Sequence, residues 1–78
     1  MDRQHSGRQF TSQFIQDCKH GFAGYELTCT GKDGTRTRVA TVIYWDAMGQ
    51  FFVETFGDLP LDILEELIRE TKAAIRLK

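Results

Sequence analysis

Thr35-Arg36-Thr37-Arg38-Val39-Ala40-Thr41-Val42-Ile43-Tyr44-Trp45, then Asp46-Ala47-Met48-Gly49-Gln50, then Phe51-Phe52-Val53-Glu54-Thr55-Phe56 is a run of β-branched and aromatic residues broken once by a turn. Such residues fit the pleated surface of a sheet, and a glycine closing a short polar interval marks a hairpin. The stretch therefore predicts two antiparallel strands, Thr35 to Trp45 and Phe51 to Phe56.

Working outward towards the N-terminus, Tyr25-Glu26-Leu27-Thr28-Cys29-Thr30 places its apolar members at odd positions, the period of two expected of a strand with one buried face. Gly31-Lys32-Asp33-Gly34 ends, like Asp46-Ala47-Met48-Gly49, in the glycine that a type I turn followed by a G1 bulge holds at positive φ. If both hairpins use that three-residue loop, Gly31 pairs with Thr35, Leu27 with Val39, Tyr25 with Thr41, Trp45 with Phe51 and Ile43 with Val53. One face then collects Tyr25, Leu27, Cys29, Val39, Ile43, Trp45, Phe51 and Val53 as a core. A slip of one residue in the first hairpin sets Leu27 beside Ala40 and mixes polar with apolar side chains on both faces, so the sorted register is the expected one.

The segments on either side read as helices. Apolar residues at Phe10, Phe14, Ile15, Cys18 and Phe22 follow a 3.6-residue period. Ser6 and Gln9 have the spacing of a capping box, and Gly21 suits the position just past a helix end. After Gly57, Pro60 suits a first helical turn, and Ile63, Leu64, Leu67, Ile68, Thr71, Ala74 and Ile75 form an apolar stripe. Acidic Asp58, Asp62, Glu65 and Glu66 at its start and basic Lys72, Arg76 and Lys78 at its end complement the helix dipole. The fold class expected is α+β, a three-stranded antiparallel β-meander with a short N-terminal helix and an amphipathic C-terminal helix, in the order α-β-β-β-α. Residues 1–7 are expected as a mobile lead-in and 8–78 as a single domain.

Composition narrows the function classes. Ten Lys and Arg against eleven Asp and Glu give a formal charge of −1, with no cationic tract of the kind that displaces counterions from phosphates. No apolar run is long enough for a signal peptide or a membrane span. Two cysteines, Cys18 and Cys29, are too few for a disulfide framework and fit a reducing, cytoplasmic setting.

Catalytic and metal chemistry find little support. His5, Cys18, His20 and Cys29 are the available soft or imidazole ligands, but Cys18 and His20 diverge on the expected helix, so no metal is expected. Asp17, Cys18 and His20 lack an oxyanion hole and an orienting third group. No glycine-rich phosphate loop occurs, so no cofactor is expected either. The chain reads as a non-enzyme.

What remains is a surface. In the expected register the second sheet face carries Arg36, Arg38, Ala40, Val42, Tyr44, Phe52, Glu54 and Phe56. An apolar patch with charged edges of this kind marks a contact surface unless the first helix folds over it. The interaction face expected is Ala40, Val42, Tyr44, Phe52 and Phe56 with Arg36 and Arg38, engaging a protein partner or a second copy in a homodimer. The expected α-β-β-β-α order is also that of double-stranded RNA-binding domains, and the alternative reading is a nucleic-acid-binding domain using the Arg36 and Arg38 hairpin with the sheet aromatics. In that family a lysine-rich start to the second helix grips phosphates, whereas Gly57-Asp58-Leu59-Pro60-Leu61-Asp62 is acidic. Nucleic acid is the disfavoured partner, and the residues identify no family.

Overall fold

Residues 8–17, expected as a helix, form a strand. The computed structural model describes residues 1–75, and its elements run β1 (Asp2–His5), β2 (Arg8–Asp17), β3 (Phe22–Thr30), β4 (Arg36–Trp45), β5 (Gln50–Thr55) and α1 (Leu61–Ala74). The strands make one antiparallel five-stranded sheet in the order β1-β2-β3-β4-β5. The α+β class stands, but the three-stranded meander with an N-terminal helix is replaced by a five-stranded meander with one C-terminal helix.

The reason lies in an ambiguity of spacing. Phe10 and Phe14 are four apart, which satisfies one face of a helix and equally one face of a strand. Between them stand Thr11 and Ser12, which offer little helix propensity. Ser6 and Gly7 both take positive φ, 51° and 76°. That is the two-residue type I′ turn whose twist matches a hairpin, and it closes the His5 and Arg8 pair. Residues 1–7, expected as a lead-in, thus contain β1.

The first hairpin begins in the expected register and then leaves it. Gly31 N–H donates to the Thr35 carbonyl at 2.9 Å and Gly34 has φ 85°, as the three-residue loop requires. Thr30 pairs with Arg36 and Thr28 with Arg38, but Leu27 pairs with Ala40. Val39 is the extra residue of a β-bulge, and beyond it every β4 side chain changes face. Both faces of residues 39–45 are apolar, so hydrophobic sorting alone specifies this register weakly.

The second hairpin is also one residue from the expected register. Gly49, at φ 63°, donates to the Trp45 carbonyl at 2.9 Å, closing a four-residue loop with Trp45 opposite Gln50. Val42 therefore pairs with Val53 and Ile43 with Phe52. The turn between β2 and β3 repeats the device, with Gly21 at φ 73° donating to the Asp17 carbonyl at 2.8 Å.

α1 covers one face of the sheet. Ile63, Leu67 and Thr71 are buried against Phe10, Leu27, Cys29, Ala40 and Val42. Small Ala40 and Val42 leave room for the helix where Ile43 and Trp45 would overfill it. The buried Thr71 hydroxyl donates to the Leu67 carbonyl at 2.8 Å, so its burial leaves no orphaned polar group. Of the expected basic C-terminal turn, Lys72 lies in α1, while Arg76 and Lys78 lie outside the described residues.

The acidic side of α1 is fastened by β1. Arg3 donates to Glu66 at 3.1 Å and Asp62 at 2.9 Å, while the Met1 ammonium donates to Glu70 at 2.6 Å. Ser12 donates to the other Glu70 oxygen at 2.6 Å. Burial pushes the Glu70 carboxyl up, but the hydrogen bonds from Met1 and Ser12 and the ammonium charge outweigh it and hold the group below its ordinary value. A depressed folded value means that this contribution to stability is present above the unfolded carboxyl range and is lost as pH falls through the folded value. Glu70→Gln is expected to lower the urea midpoint at neutral pH and to flatten its decline on acidification. An unchanged pH slope would show that other groups carry the acid dependence.

Candidate interaction face

The bulge at Val39 decides what the uncovered face contains. Ala40 and Val42, expected on the interaction face, are fully buried beneath α1. Tyr44 shares that covered side and packs on Phe51 with ring centroids 5.0 Å apart. These three are corrected to the core side. Their places on the outer face are taken by Thr41, Ile43 and Trp45.

Phe52 keeps its expected position, opposite Ile43 on the outer face, and is 40% exposed. Trp45 stands opposite Phe22, their ring centroids 4.9 Å apart. Ile43 lies directly across from Gly24, with Ile15 on the far side of it. The outer face at this end of the sheet is thus a continuous apolar floor. Thr41, Ile43, Trp45, Phe52, Val53 and Glu54 line an open groove of about 380 Å³ along its border with β5.

The opposite end of the same face is polar. Arg36 and Arg38 precede the bulge and so remain outward, as expected. Arg38 reaches Glu26 at 3.5 Å and lies over the Phe56 ring, 5.0 Å from its centroid. A guanidinium already paired with a carboxylate and stacked on a ring is a weaker phosphate ligand, because the contact must compete with both. Phe56 is accordingly committed to Arg38 rather than joined to the Ile43 and Phe52 patch.

The groups considered for metal or thiol chemistry are dispersed. Cys29 is buried in the core, whereas Cys18 is exposed in the turn after β2. His20 Nδ1 lies 2.6 Å from Asp17 Oδ2. Hydrogen bonds from the His20 ring and backbone hold the Asp17 carboxyl below its ordinary value, which makes it a turn-stabilising group. Among the described residues no three His, Cys, Asp or Glu side chains converge on a metal position.

Sequence reasoning missed Phe22, Ile43 and Trp45 as outer-face residues. The available signal was Gly24, an isolated glycine within a strand, which marks a close approach by a neighbour. It was hidden because the strand was expected to begin at Tyr25.

The architecture is a single-layer antiparallel meander backed on one side by a helix, with its other side open. No helix is long and apolar enough to cross a membrane among the described residues. Comparison with family models, curated proteins and solved structures returns no match to this chain.

Proposed function

We propose that this chain is a non-catalytic protein–protein interaction module of the cytoplasm that self-associates through the uncovered side of its sheet. One observation carries the reading: Phe22, Ile43, Trp45 and Phe52 form an apolar floor on the face that α1 leaves bare. Contiguous apolar surface in water raises the free energy of the isolated chain, and setting like surface against its Phe52 border recovers part of that cost. A small domain also gains stability by mass action when its folded form binds a partner. The exposed, unpaired Cys18 thiol and the buried Cys29 thiol suit a reducing compartment.

Sedimentation of the wild type is expected to show an average mass that rises above the monomer with concentration. Phe52→Ser, a change at an exposed residue, is expected to return the mass to the monomer with the far-ultraviolet circular dichroism unchanged. A constant monomer mass at millimolar concentration would end the proposal.

A further inference from the structure

The two edges of the sheet are built differently. β1 is four residues long and carries Asp2, Arg3 and His5, and short charged edges resist pairing with another chain. β5 is six residues, Gln50-Phe51-Phe52-Val53-Glu54-Thr55, with one charge and neither lysine nor proline. Phe52 and Val53 are 40% and 48% exposed at its centre. β5 therefore lacks the devices that keep an edge strand single.

Resting on the self-association proposed above, the geometry points to its mode: two copies join β5 to β5 antiparallel about a two-fold axis at Phe52, making one ten-stranded sheet. A two-fold axis perpendicular to the sheet is the symmetry that pairs identical antiparallel strands with both helices on the same side. Two residues lie at the centre of the six-residue strand. Centred on Val53, the pairing sets Phe52 against the partner's Glu54. Centred on Phe52, it sets Phe52 against the partner's Phe52, Phe51 against the partner's Val53, and Gln50 against the partner's Glu54. The second register matches apolar with apolar and gives the carboxylate an amide donor.

Stacking the two outer faces as a sandwich is the competing geometry. It would bury the Arg38 and Glu26 pair and Glu54, and desolvating such charges costs more than their attraction returns. Edge pairing leaves them in water.

Cysteine trapping in a Cys18→Ser background tests the register. Gln50→Cys and Glu54→Cys chains are expected to form an intermolecular disulfide when mixed and oxidised, because directly opposed residues lie within bridging distance. Neither chain is expected to do so alone, since in this register Gln50 and the partner's Gln50 are about 13 Å apart along the strands. As a second measurement, Gln50→Lys is expected to tighten association about two- to tenfold in a salt-sensitive way, and Gln50→Glu to weaken it as much. Cross-linking of Gln50→Cys alone, or none in the mixture while the wild type still self-associates, overturns the edge register and leaves self-association standing. A wild type that never self-associates overturns both.

Discussion

Leu67→Ala is expected to destabilise the fold by about 2–5 kcal/mol, the range for truncating a leucine in a core that relaxes only partly. Leu67 is wholly buried at the middle of α1, among Phe10, Leu27, Ala40, Val42 and Ile63. The sheet is one layer thick and α1 is the only helix among the described residues, so no second layer can move in to fill the void. A domain of this length has a total stability of roughly 4–12 kcal/mol. The loss is therefore a large fraction of the whole, and the thermal midpoint is expected to fall by about 10 °C or more. Leu61→Ala, at an exposed position of the same helix, is the matched control and should stay within about 0.5 kcal/mol of the wild type. Urea unfolding of the two variants that gave equal losses would show that α1 does not hold the sheet through Leu67.

α1 itself was legible in the sequence, because its apolar positions recur over several turns and only one period fits them all. Ile63, Leu67 and Thr71 fall where the stripe places them. β3 and β4 were legible for the complementary reason, and so was the turn at Gly31 and Gly34. The N-terminal hairpin was hidden because Phe10, Phe14 and Phe22 satisfy a helical stripe. Its strand character is carried instead by the Ser6-Gly7 turn and by pairing with β3, a long-range interaction that local spacing does not report. The outer face depended on a single residue. Without the Val39 bulge, Ala40, Val42 and Tyr44 would sit where Thr41, Ile43 and Trp45 now sit, and apolar character alone does not distinguish the two arrangements; only side-chain size beneath α1 does. Arg36, Arg38 and Phe52 were placed on the outward face and are found there, the two arginines because they precede the bulge. Asp62, Glu65 and Glu66 read in the sequence as complements of the helix dipole, whereas in the fold Asp62, Glu66 and Glu70 recur every fourth residue and are fastened by Arg3 and Met1. That stripe acquired its partners only once residues 2–5 became a strand.

Gly24→Ala is expected to disrupt the pairing of β3 with β4, at a cost of about 3 kcal/mol or more, since the added atom meets backbone that cannot turn aside. A Cβ at Gly24 would stand 2.6 Å from Ile43 Cα and 2.9 Å from Ile43 Cγ2, and closer still to the Val42 carbonyl oxygen. Of these, only the Cγ2 contact belongs to a side chain. The double variant Gly24→Ala with Ile43→Ala should therefore recover little, because it relieves the methyl contact and leaves the backbone contacts in place. Gly34→Ala separates this effect from the general cost of replacing glycine. Gly34 has φ 85° but no neighbour within 4 Å of an added Cβ, so it should lose only the roughly 1–2 kcal/mol of a left-handed backbone position. Urea midpoints of the three variants decide the matter, and a Gly24→Ala chain as stable as Gly34→Ala would mean that the strands part more easily here than their spacing implies. The same contact bears on the interface. Ile43 lies across the bare backbone at Gly24, so the floor between Ile15 and Ile43 has no intervening side chain. Lifting Ile43 away from it should also alter Trp45 emission and weaken self-association in any Gly24→Ala fraction that remains folded, which ties the core of the sheet to the surface it presents.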